Sequence, residues 1–98
     1  SNEIVLKEIK LKIYEEQQRI LINIIDGYGL QYDTIIREYK KSKESKENQN
    51  PIEEKLLNNV RGKLEAEYKL KDLKIKVLET AETIPPWWTE NEKQLKLK

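Results

Sequence analysis

Cysteine, histidine, methionine and phenylalanine are all missing from this chain. The first absence excludes disulfides and thiolate metal sites, and leaves the redox compartment open. Losing histidine removes the commonest general base and the commonest metal ligand, and losing cysteine removes the strongest protein nucleophile. Among the remaining candidates, Ser1, Ser42 and Ser45 fall at the terminus and in a polar linker, where nothing would fix them. Gly27-Tyr28-Gly29 has neither the spacing nor the lysine of a phosphate-binding loop. The carboxylate pairs Glu15-Glu16 and Asp26 with Asp33 read as solvated faces, because no pattern suggests a pocket to shift their pKa values. No enzyme, no cofactor and no metal site is expected.

Net charge is nearly absent as well. Nineteen basic residues stand against 18 acidic ones for a total of +1, so no global field steers the protein towards nucleic acid or anionic lipid. Any such binding has to come from a local patch. No apolar run approaches the ~18 residues of a membrane span, and no signal-peptide pattern is read, so a soluble, cytoplasmic protein is expected. No methionine stands even at residue 1, as in a processed chain or a fragment of a longer one. Lys, Ile, Glu and Asn abound while Ala, Gly, Pro and Arg are scarce, a bias that suits the AT-rich genome of a low-GC bacterium or its phages.

What is present is helix-forming and thinly apolar. The 98 residues fit one domain, and apolar residues (37%) fall below the usual share for a globular one. That is enough for one thin core, or for helices that complete their burial against a second copy or a partner. Homo-oligomerisation is therefore expected.

Three helices and a tail are predicted. The first covers about 3–26, with Leu6, Ile9, Ile13, Ile20 and Ile24 at helical spacing and Leu21 and Ile25 widening the stripe. Ile9 to Ile13 alternates like a strand, but the helix formers from Tyr14 to Arg19 carry the helix through. Gly27 and Gly29 supply a stop. The second helix covers about 30–47, burying Ile35, Ile36 and Tyr39, and frays into the polar stretch 42–50.

The third helix, about 51–83, opens on Asn50-Pro51-Ile52-Glu53, a cap residue, a first-turn proline and an acid three residues after the cap. Leu56, Leu57, Val60, Leu64, Tyr68, Leu73, Val77 and Ala81 form its apolar side. Its length predicts a coiled-coil-like hairpin or a break, with Gly62 and Lys71-Asp72 the weak points. The tail covers 84–98. The fold class is thus all-α: an antiparallel helical bundle, or a long helical hairpin, of three main helices with a Trp-anchored tail.

Three features bear on binding. Ile84-Pro85-Pro86 leads into the only tryptophans, Trp87 and Trp88. They suit an interaction hot spot, or a plug folded over the bundle end with one ring left outside. With Tyr68 they are the candidate partner-binding residues. Lys69, Lys71, Lys74 and Lys76 cluster against the single acid Asp72, and read as a solvated run or as a contact for phosphate or lipid headgroups. Finally, Gly29-Leu30-Gln31-Tyr32-Asp33-Thr34-Ile35-Ile36-Arg37 resembles the turn and second helix of a helix-turn-helix. In that reading Gln31, Tyr32, Thr34, Arg37, Lys40, Lys41 and Lys43 face DNA.

A wider likeness includes that stretch. Asp26-Gly27-Tyr28-Gly29-Leu30, then Asp33 to Tyr39, then Asn50-Pro51 through Leu64-Glu65-Ala66-Glu67-Tyr68-Lys69-Leu70 together resemble one type of phage small terminase subunit. There a Gly-Leu turn precedes a helix, and a later Asn-Pro opens a helix ending in Leu-x-x-Glu-aromatic-x-Leu. The resemblance covers about half the chain. It implies a non-enzymatic, oligomeric, DNA-recognising partner of a packaging motor. The leading expectation is nevertheless a non-catalytic protein–protein interaction module of phage or mobile-element origin, with DNA binding as the alternative.

Overall fold

The computed structural model describes residues 2–88. They form two long helices, α1 (Asn2–Ser45) and α2 (Asn50–Glu82), packed against each other as an antiparallel hairpin. The all-α hairpin is as expected, but it is made of two helices and not three. The molecule is a rod with extents of 69 × 23 × 16 Å.

The predicted stop at Gly27 and Gly29 does not occur, and α1 runs unbroken through both. Each glycine costs about 1 kcal/mol relative to alanine inside a helix. That penalty is outweighed because the residues facing α2 keep their phase on both sides of it. Ile4, Leu11, Gln18 and Ile25 recur every seventh residue, as do Tyr14, Leu21, Tyr28, Ile35 and Ser42, and all are buried or half-buried. Two interleaved seven-residue series make a coiled-coil seam. The facing seam on α2 is Ile52, Leu56, Asn59, Ala66, Leu70, Leu73, Val77 and Thr80. Gly62 and Lys71-Asp72 do not break that helix either.

Gly62 has a packing reason to be glycine. A methyl group there would stand 2.5 Å from Tyr28 Oη and 2.6 Å from its Cζ, so the tyrosine ring lies over the bare backbone. Nothing approaches the equivalent positions of Gly27 and Gly29 within 4 Å. One helical turn before Gly62, Asn59 is 3% exposed and donates Nδ2–H bonds to the Tyr28 carbonyl (3.0 Å) and to Gln31 Oε1 (2.9 Å). A buried, satisfied amide at a seam position fixes register, since sliding the helices by a turn would strand it.

The turn between the helices is short. Helix α1 ends at Ser45, two residues before the expected boundary, with Lys46 in the left-handed region (φ 57°). The Glu47 N–H then reaches back to the Ser42 carbonyl at 3.0 Å, the six-to-one bond of a Schellman stop. Ser42, 4% exposed, also donates Oγ–H to the Tyr39 carbonyl at 2.9 Å. The expected capping box at Asn50 is shifted. Gln49 is the cap residue, and its carbonyl accepts from the N–H groups of Ile52 (3.1 Å) and Glu53 (3.0 Å), while Asn48 Oδ1 accepts from the Asn50 N–H (3.1 Å).

At the open end the chain turns after Thr83 and Ile84, and 86–88 make a single helical turn. Trp88 Nε1–H donates to Glu8 Oε1 at 2.7 Å, tying this segment back onto α1. No described helix is long and apolar enough to cross a membrane.

Candidate interaction surfaces

A single seam cannot cover the apolar residues of two long helices. Among the described residues only Ile4, Ile35 and Ala66 are buried apolar ones, and no side chain is completely buried. The row predicted to form the inner face of the first helix is the main casualty. Leu6, Ile9, Ile13, Ile20 and Ile24 are exposed, Leu6 by 58%, and only Leu21 and Ile25 of the predicted stripe take part in the seam. The same holds on α2: Leu56, Leu73 and Val77 face inward, whereas Leu57, Val60, Leu64 and Tyr68 face solvent and continue into Ile75 and Leu78. Ala81, also expected inside, is exposed. Each helix therefore carries two apolar faces, about 130–140° apart at 100° per residue. Periodicity counts both, but only one can meet the other helix.

The two uncovered rows lie on opposite broad faces of the hairpin. Ile20 of the α1 row shares a shallow groove of about 340 Å³ with Gln17, Lys69, Asp72 and Lys76. Val60 and Leu64 of the α2 row line a larger groove on the other face, about 840 Å³, with Ile25, Gly29, Tyr32, Asp26, Asp33 and Glu67 around it. On each face the apolar row of one helix thus runs beside a charged strip of the other. Fully burying a Leu, Ile or Val side chain yields about 2 kcal/mol. Leaving five of them half in water on α2 alone forgoes roughly 5 kcal/mol, the scale of a small domain's whole stability. Contiguous apolar rows of this length, rimmed by charge, make these faces the candidate interaction surfaces of the hairpin.

The tryptophan pair divides its roles. Trp88 is half-buried and bonded to Glu8, while Trp87 is 57% exposed. Their ring centroids are 6.1 Å apart at 76°, an edge-to-face pair that holds the outer ring against the inner one. Lys7 Nζ contacts the Thr83 carbonyl at 3.5 Å beside it. Tyr68, at 60% exposure, belongs to the α2 row. The end of the predicted tail, residues 89–98, lies outside the described residues.

The DNA-facing set is not gathered into one patch. With no turn at Gly27–Gly29 there is no helix-turn-helix between Ile24 and Lys41, because that whole stretch is interior to α1. Gln31 is drawn to the seam by Asn59, and Thr34 accepts from Arg37 Nη2 at 3.2 Å while donating to the Leu30 carbonyl at 3.3 Å. At 100° per residue, Thr34, Arg37 and Lys41 fall on one side of α1, with Tyr32 and Lys43 on the other and Lys40 between them. The lysine cluster of α2 is split likewise, with Lys69 and Lys76 on the groove that holds Ile20 and Lys71 and Lys74 turned away from it. Neither set makes a continuous basic surface.

Among the described residues ion pairs are few and exposed. Arg19 donates to both oxygens of Glu16, which holds the Glu16 carboxyl below its usual range and raises the Arg19 guanidinium. Lys55 and Glu38 pair across the helices at 3.6 Å. No group of three or more acidic, cysteine or histidine side chains able to hold a metal ion occurs among the described residues.

The chain is, in its described part, a two-helix antiparallel coiled-coil hairpin with two uncovered apolar rows. No protein-family model, no curated protein and no solved structure matches it.

Proposed function

We propose that this protein is a non-catalytic helical interaction module whose outward apolar rows are covered by another protein chain. The observation that supports this reading is the exposure of Leu6, Ile9, Ile13, Ile20 and Ile24 on one face and of Leu57, Val60, Leu64, Tyr68, Ile75 and Leu78 on the other. Trp87, held outward by Trp88, adds an aromatic anchor of the kind that dominates interface energetics. The acidic rim of the larger groove, Asp26, Asp33 and Glu67 against Lys63, favours a protein surface over a nucleic acid phosphate backbone. A phage or mobile-element source remains part of the proposal on composition alone.

Site-specific photo-crosslinking tests it. A photoreactive side chain at Ile13 or Leu64 is expected to give protein adducts in the cells that express the chain, and one at Lys41 is not. Absence of adducts at both apolar positions overturns the reading.

DNA binding, the second reading, retains one supporting feature, the Thr34, Arg37 and Lys41 side of α1. Fluorescence anisotropy with a short duplex at two salt concentrations separates the two. The interaction module predicts no binding at either, whereas binding that weakens steeply with salt would favour DNA.

A further inference from the structure

We infer that the chain covering each row is a second copy of this protein, docked head to tail: the α1 row of one copy lies antiparallel on the α2 row of the next. This rests on the interaction-module reading and names the partner it leaves open.

The two rows match in spacing and in their interruptions. The α1 row breaks between Ile13 and Ile20 at Glu16-Gln17, and the α2 row breaks between Tyr68 and Ile75 at Lys71. Aligning the two breaks antiparallel sets Ile13 over Ile75 of the neighbouring copy, Ile20 over its Tyr68 and Ile24 over its Leu64. Ile9 then meets the neighbour's Leu78. These four pairs are the apolar centre of the contact, Leu6 at one end falls over the neighbour's Glu82, and the breaks become a charge pair, Glu16 against Lys71.

The flanks agree. In an antiparallel contact, residues on the same rotational side of each row meet. That brings Lys10 to the neighbour's Glu79, Arg19 to its Glu67 and Glu16 to its Lys74 as well as its Lys71. Lys12 against the neighbour's Lys74 is the one like-charged approach.

The geometry also decides the kind of symmetry. A two-fold dimer pairs one face with itself and leaves the opposite row in water. Because the rows lie on opposite faces, covering both requires two different neighbours. Successive turns of about 130–140°, taken alternately towards one face and the other, run nearly straight. The product is an open layer of alternating α1 and α2 helices that grows with concentration.

The test uses the full chain and two double variants whose substitutions lie on exposed positions. Ile13→Glu with Ile20→Glu disables the α1 row, and Leu64→Glu with Ile75→Glu disables the α2 row. Circular dichroism first checks that each keeps its helix content. In analytical ultracentrifugation the unaltered chain is expected to gain mass continuously with concentration. Each variant alone stays at the monomer mass of 11.7 kDa. Mixed one to one, they form a complex of twice that mass, because one variant retains the α2 row and the other the α1 row.

A dimer formed by either variant alone shows like-on-like pairing and overturns the inference, as does a plateau of the unaltered chain at the dimer. A monomer throughout overturns it too. In that case crosslinks from Leu64 to a different protein would leave the interaction module standing, and their absence would remove both.

Discussion

The half of the hairpin next to the turn and the half next to the open end are held by different means. Near the turn the contacts are particular. Asn59 bonds to Tyr28 and Gln31, the Tyr28 ring covers Gly62, and Ile35, Ser42, Asn59 and Ala66 are the most enclosed residues. Towards the open end the seam is mainly aliphatic, with Leu11, Leu21, Leu70, Leu73 and Val77 half-buried beside Tyr14, Gln18 and Thr80, and Ile4 the one buried residue. There, closure comes from the returning segment, through Trp88 on Glu8 and Lys7 on Thr83. Aliphatic contacts slide at little cost, whereas a buried amide tolerates one partner arrangement. Register is therefore set beside the turn and carried outward, and the tryptophan ties off the far end.

Four substitutions break or sharpen this contrast. Asn59→Ala should have the largest effect, about 2 kcal/mol in urea unfolding, because it removes two hydrogen bonds and side-chain volume from the tightest point. A loss no greater than that of an alanine at the half-buried Leu73 would erase the difference between the halves.

Gly62→Ala comes next, at about 1 kcal/mol destabilising, since the tyrosine ring must move despite the better helix former. In a Tyr28→Ala background the same change should stabilise by about 1 kcal/mol, and that reversal of sign is the measurement that isolates the contact. Without reversal, Gly62 is not a packing glycine.

Trp88→Ala should cost about 1 kcal/mol, with its signature in amide exchange: faster opening around Ile4 to Leu11 and none near Asn59. Uniform acceleration along the rod would mean that the returning segment supports the whole hairpin and not its end. The smallest effect is a gain. Lys46→Gly relieves a left-handed residue and should raise stability by up to about 1 kcal/mol, the turn keeping its Schellman bond.

Much of the fold was legible in the chain, and the misses have physical causes. Helix was expected over nearly all the described residues, and the choice of helix over strand from Ile9 to Ile13 agrees with α1. Gly27 and Gly29 were read as a stop because their local propensity is poor, but the seam residues on either side outweigh it. Gly62 was read as a weak point for the same reason, and only the position of Tyr28 explains it. The division of the tryptophans into one held and one exposed ring was foreseeable from their adjacency. The uncovered rows, by contrast, were taken for core. A signal for them existed in the excess of apolar residues on α1, where the row through Leu6, Ile13 and Ile20 accompanies the seam through Ile4, Leu11 and Ile25.

By itself the sequence determined helix, a helix start at Asn50-Pro51 after a polar connection, the lack of histidine and cysteine chemistry, and how many apolar residues need a neighbour. These are local or compositional properties, readable wherever the residues happen to pack. Only the tertiary structure decided which face of each helix became the seam, that the unused rows emerged on opposite faces, and that the proposed DNA-facing residues were dispersed around one continuous helix. Those outcomes depend on the rotation of two helices about their own axes, which is selected by the joint fit of Tyr28, Gly62, Asn59 and Gln31, residues far apart along the chain.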